Sequence, residues 1–282
     1  MTTTNKIIIC SGDSYTAGDE LHGDSIVPGY TSNLFPLKHE DQELRRQAQV
    51  LRDKIKKAES ELEKNDFNEY WTRSKERAWP AYLEKLTGIE VRNVSWRGIS
   101  NQEIVHRAIE QVHRLKEKGI SPSNMTVFMM LTSPNRFGAP QHDPKYGGEF
   151  EFQSFMPGFD FKPPKIKDFC ERIVKDYDDY DLLWFSYSNI VAAKHYLEFL
   201  GAKVYILDCC LWGWFLRQYA NESKPIRHIS LSKSLKIDWE MSATAFKFEK
   251  QGAANLPGGH YNEVVHQYLA NEIYEALYRI PT

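Results

Sequence analysis

The run MTVFMML at positions 125–131 is the strongest constraint on what this chain can become. Apart from Thr126 it has no polar side chain. It is also far shorter than the roughly 20 apolar residues needed to cross a bilayer. A strand this uniformly apolar must be covered on both faces, as in a parallel sheet with helices packed against it. Lys6 to Cys10 and Ala202 to Leu207 read the same way, the second finishing at Asp208. Helical periods lie between them. Asn101 to Lys118 places Ile104, Val105, Ala108, Ile109, Val112 and Leu115 on one side, and Gly119 ends it. Strands alternating with helices predict an α/β class built on βαβ units with right-handed crossovers.

The remaining segments fit that scheme. Trp71 to Leu86 reads as a helix with Trp79, Tyr82, Leu83 and Leu86 toward the core; Pro80 sits early in it or marks a break, and Thr87-Gly88 ends it. Ile89 to Val94 is a short strand. Ile166 to Tyr177 and Asp181 to Leu200 read as helices, His228 to Leu231 as a short strand, and Asn262 to Leu277 as the last helix. Thr132 to Pro164, rich in Pro, Gly and aromatics, reads as a long loop, and long loops inside compact domains are often functional. The whole chain, 1–282, reads as one domain with an insertion at 20–70.

Within that insertion, residues 41–64 form a highly charged helix. Leu44, Ala48, Leu51, Ile55, Ala58 and Leu62 make a narrow apolar seam along it. Such a seam packs on its own domain or, alternatively, serves self-association or a partner protein.

Composition removes several classes of function. Apolar residues are 41% and charged residues 26%, so the chain can bury a core and is not a disordered polyelectrolyte. The formal net charge of −2 offers no basic field for nucleic acid. MTTTNKIIIC is neither a signal peptide nor a membrane anchor, so no membrane partner is expected and a cytoplasmic location is. Cysteines at 10, 170, 209 and 210 have no zinc-ligand spacing and no CxxC, which suits buried thiols in a reducing compartment. Asp19 and Glu20 lack nearby residues that would complete a metal cluster. Neither a metal nor a cofactor is expected.

Ligands of open α/β sheets bind beyond the carboxyl ends of the strands. Ser14, the Ser133–Arg136 segment and Asp208 fall in that zone. The string around Ser14 then becomes informative. GDSYT at 12–16, directly after a first strand, resembles the first block of the SGNH (GDSL-like) hydrolase family. AWP..L at 78–83 and N..WRGISN at 93–101 resemble its second region, LTSPNR at 131–136 a divergent third, and HYNEVVHQYLA at 260–270 its last. The blocks run in family order along nearly the whole chain.

The resemblance implies a three-layer α/β/α sandwich with a mainly parallel, flavodoxin-like sheet and a helical insertion after the first strand. It also implies a Ser-His acyl-enzyme mechanism. Ser14 is then the nucleophile and His260 the base. The Ser14 amide, the Gly98 amide and the Asn135 side chain form the oxyanion hole. The chemistry is reasonable on its own terms, because a Ser hydroxyl needs a neighbouring imidazole to take its proton. Asp13 reads as a residue that orders the turn by bonding backbone amides.

Three departures stand out. Ser133 and Arg136 replace the Gly and Asp of the third block, and Arg136 is placed to hold an anionic or sugar substrate instead. Pro257 stands where the family carries the Asp that orients the base. Asp208, then Asn255, then a backbone carbonyl are the substitutes. His266 follows His260 by six residues and lies inside the helix, where a structural role is commoner.

The expected activity is hydrolysis of a small ester or carbohydrate ester, with removal of an O-acetyl group first among the cases. The aromatic stretches at 146–161 and 212–215 would stack on sugar rings. The alternative is a non-catalytic glycan-binding or structural protein on the same scaffold. Chains of this kind resemble some encoded by bacteriophages, which makes a virion association the alternative location.

Overall fold

The structure is a computed structural model that describes residues 6–17, 75–96, 98–134, 136–142, 150–155, 172, 175–176, 179–208 and 261–278. The expected insertion at 20–70 with its helix at 41–64, the stretch 209–216 and the strand expected at 228–231 lie outside the described residues. In chain order the elements are β1 (Ile7–Gly12), α1 (Ser14–Ala17), α2 (Trp79–Thr87), β2 (Glu90–Asn93), α3 (Asn101–Glu117), β3 (Met125–Leu131), β4 (Phe137–His142), β5 (Phe150–Phe155), α4 (Asp179–Phe199), β6 (Lys203–Asp208) and α5 (Glu263–Tyr278). They belong to two compact units, one from Met1–Asp13 and Val94–Trp239, the other from Ser14–Asn93 and Glu240–Thr282.

The first unit is built on β1, β3 and β6, all parallel with β3 in the middle. Register aligns Ile9 with Val127 and Val204, Gly12 with Met130 and Leu207, and Leu131 with Asp208. The apolar runs form strands here because both faces are dry. Ile7, Ile9, Val127, Met129, Leu131 and Ile206 meet Ile104, Ala108, Val112 and Leu115 of α3 and Leu183, Ile190 and Leu197 of α4. Ile8, Cys10, Phe128, Met130 and Leu207, on the opposite face, are buried as well. Each such side chain contributes roughly 1.5–3 kcal/mol when fully buried. The result is a parallel sheet flanked by helices.

α3 begins at a serine N-cap. The Ser100 hydroxyl accepts the Glu103 amide at 3.3 Å. It ends at Gly119, whose φ of +83 is the left-handed conformation that stops the helix.

The stretch 132–164, expected as a loop, contains a hairpin. β4 and β5 pair antiparallel from Phe137 opposite Phe155 to His142 opposite Phe150. The period-two alternation of FEFQ at 150–153 carries the strand signal. Gly138 and Pro140 hide it in β4, and Pro140 is tolerated because both strands of a two-stranded ribbon are edges. The hairpin is tied to the start of α3. The Ser100 N–H donates to the Ser154 hydroxyl at 2.7 Å, and the Gly138 N–H to Gln102 Oε1 at 3.2 Å. Phe137 meets Phe185 of α4 edge-on.

In the second unit α2 packs against α5, and Trp79 and Leu83 of the one and Val265, Leu269 and Ile273 of the other are buried. The helix expected over 71–86 is interrupted. Residues 75–77 are helical, Ala78 is extended, and α2 restarts with Pro80 in its first turn, where a missing N–H costs nothing. Leu86, expected toward the core, is 41% exposed in the last turn; Trp79, Pro80 and Leu83 carry the burial at the other end. Gly88, at φ +66, ends the helix.

Candidate functional site

Each residue singled out in the sequence can be placed or set aside. Ser14 is the first residue of α1, two positions past the last residue of β1. Gly98 lies in the turn before α3, exposed, at φ +71. Among the described residues a Cβ there would meet nothing within 4 Å, and the left-handed backbone by itself demands glycine. Asp208 closes β6 opposite Leu131 and is 8% exposed. Asn135, Asn255 and His260 lie outside the described residues.

The first unit gathers a polar network that the sequence did not announce. Asp13, 1% exposed, accepts the Thr132 hydroxyl at 2.7 Å and Arg136 Nη1 at 3.4 Å. The same Nη1 reaches the Ile99 carbonyl at 3.5 Å. Asn101 closes the network. Its amide nitrogen donates to the Thr132 carbonyl at 3.2 Å, and its oxygen accepts the Thr132 N–H at 3.0 Å. A carboxylate as buried as Asp13 is strongly disfavoured without charge or hydrogen-bond compensation. Arg136 therefore has an intramolecular anion to serve, whereas the sequence offered it to a substrate. The one available signal was a cation at 136 where the resemblance would place an acid.

The second unit fixes the residues that follow His260. Tyr261 and Asn262 are buried, and the Asn262 side chain accepts the Val265 amide at 3.3 Å at the start of α5. Glu263 is held by Arg77 Nε at 2.9 Å and also by Arg77 Nη2 and the Tyr82 hydroxyl. Burial, and then the Glu263 contact, push the Tyr82 phenol up. His266, 2% exposed, is a structural residue here: its Nδ1 accepts the Trp79 N–H at 3.1 Å.

Two other buried groups are chemically quiet. Burial pushes the Cys10 thiol well up, away from the reactive thiolate. Burial likewise raises the Glu103 carboxyl, against the pull of Arg107. Among the described residues no group of three or more His, Cys, Asp or Glu could hold a metal ion, and no helix is long and apolar enough to cross a membrane.

No family model matches the chain, and no curated protein does. Among solved structures, two described as lipolytic G-D-S-L family proteins align over nearly the full length. The one from Desulfitobacterium hafniense DCB-2 has 10% identity, covers 95% of this chain and 98% of its own, and gives a TM-score of 0.36. The one from Veillonella parvula DSM 2008 has 13% identity, covers 97% and 99%, and gives 0.41. At these values the likeness bears on neither fold nor activity, which rest on the chain's own residues.

Proposed function

We propose that the chain is a serine-dependent ester hydrolase, with O-deacetylation of a carbohydrate as its leading reaction. The observation that carries this reading is the placement of Ser14. It lies just past the carboxyl end of a strand of a parallel sheet that is dry on both faces, within the string GDSYT.

The Ser14 hydroxyl attacks the ester carbonyl carbon as the His260 imidazole takes its proton. The oxygen that becomes negative is met by the Ser14 and Gly98 amides and the Asn135 side-chain amide. Donors of this kind are each worth on the order of 100-fold or more in rate. Collapse expels the alcohol, which leaves with the proton from His260. Water then attacks the acyl-Ser14 by the same route and releases the acid. Asp208, Asn255 or a backbone carbonyl accepts the second ring N–H of His260.

A second reading, a non-catalytic glycan-binding or particle protein on this scaffold, is favoured by Pro257 standing where the family keeps its Asp. Acetate and p-nitrophenol release from a panel of acetylated sugars and simple esters separates the two. Turnover that disappears in Ser14→Ala supports the hydrolase. Glycan binding that survives Ser14→Ala, with no turnover by the wild type on any ester, supports the rival.

A further inference from the structure

We infer that Arg136 is a positioning residue that holds the chain segments of the proposed oxyanion hole in place; this rests on the hydrolase reading above. One guanidinium nitrogen, Nη1, contacts Asp13 at 3.4 Å and the Ile99 carbonyl at 3.5 Å. Asp13 directly precedes Ser14, Ile99 directly follows Gly98, and Arg136 itself directly follows Asn135. Each of the three proposed donors is therefore next in sequence to Arg136 itself or to a residue that its side chain contacts.

The surroundings favour a built junction over an accidental surface pair. Asp13 is 1% exposed and also accepts the Thr132 hydroxyl at 2.7 Å, while the Arg136 side chain is 23% exposed. Thr132 is locked in turn by the reciprocal bonds to Asn101, at the start of α3. The Ser186 hydroxyl holds the Pro134 carbonyl at 3.1 Å, so the segment carrying Arg136 is fixed on its other side. A guanidinium suits such a junction because it is always charged and offers several fixed donors. An oxyanion hole works only if its donors are aimed in advance, and misplacement by about 1 Å can cost on the order of 100-fold. Arg136 does not touch the reacting atoms in this scheme; it acts through its neighbours.

The test uses p-nitrophenyl acetate, a neutral substrate with no anionic group for Arg136 to bind. Arg136→Met, Arg136→Lys, Asp13→Asn and the double variant Asp13→Asn/Arg136→Met are compared with wild type, with rates expressed per folded molecule. Arg136→Met is expected to lower kcat about 100-fold, with KM within about twofold. The acidic limb of kcat/KM, which reports the base, stays in place. Arg136→Lys recovers part of the loss, and the double variant falls no further than Arg136→Met alone. If Arg136→Met does not fold, Arg136→Lys and Asp13→Asn carry the test, each expected to lose about tenfold in kcat. A kcat within about threefold of wild type in the folded variants, or a change confined to KM, overturns the inference while leaving the hydrolase reading intact. A wild type that neither turns over ester nor is labelled at Ser14 by a fluorophosphonate overturns both.

Discussion

His266 Nδ1 accepts the backbone N–H of Trp79 at 3.1 Å, joining the first turn of α5 to the first turn of α2. An accepting Nδ1 requires a neutral ring with its proton on Nε2. The bond also satisfies one of the amides that a helix start leaves without an internal partner. His266→Ala should therefore destabilise the protein by about 2 kcal/mol, since a buried amide loses its acceptor and a ring-sized space opens. Urea unfolding checks the stability. Ester turnover per folded molecule should stay within about threefold of wild type, whereas His260→Ala should abolish it. Equal losses of turnover in the two variants would reverse the assignment of the base.

Glu103 gives a pH dependence of definite sign. Its carboxyl is raised by burial, and the Arg107 Nε contact at 2.9 Å only partly opposes this. The native state therefore keeps the proton to higher pH than the unfolded chain does. Stability from this group is fully present below the unfolded pKa and is lost as pH rises through the folded pKa. Glu103→Gln removes that loss, so its stability relative to wild type should improve steadily from acid toward neutral pH. Urea midpoints across that range test it. Parallel curves would mean that Glu103 does not set the slope.

What the sequence revealed follows from the range of each interaction. Met125–Leu131 was readable to the residue because all its positions but Thr126 prefer the same dry environment. α3 was readable because its apolar stripe stops at Gly119, which is left-handed in the structure, and both are local signals. The β4–β5 hairpin was not, because Gly138 and Pro140 are local breakers that only cross-strand pairing overrides. The strand-end position of Ser14 was also local. The Asp13–Arg136 pair was not, since it joins residues 123 positions apart and depends on how deeply Asp13 is buried.

Gly88 and Gly98 form a matched pair of controls. Both have positive φ, +66 and +71, and at neither would a Cβ meet an atom of the described residues within 4 Å. Alanine at either site is strained by the backbone alone, at about 1–2 kcal/mol. Comparable losses in thermal stability are expected from Gly88→Ala and Gly98→Ala. Only Gly98→Ala should also lower kcat, by about tenfold or more, because only its amide is proposed to meet the oxyanion. Equal kcat in the two variants would remove Gly98 from the site.

Asp208 is the sharpest remaining question about the base. β6 ends on it, one register step beyond the Gly12–Met130–Leu207 row from which the chain runs on to Asp13 and Ser14. At 8% exposure its carboxylate is placed where water screens little. An anion there would fix the tautomer of His260 and stabilise the imidazolium that forms as Ser14 attacks. An Asn in its place would hardly stabilise the imidazolium, and by turning its NH2 toward the ring it would favour the wrong tautomer. Asp208→Asn keeps the size and the strand end, so folding should survive, which circular dichroism and urea unfolding would check. The expected result is a fall in kcat of about 1,000-fold or more, as when the carboxylate of a Ser-His-Asp triad is replaced by its amide. Asn255→Ala should then stay within a few-fold of wild type. The opposite pattern, with full activity in Asp208→Asn and a large loss in Asn255→Ala, would move the orienting role to Asn255. Wild-type rates in both would leave a Ser14–His260 dyad steadied by a backbone carbonyl.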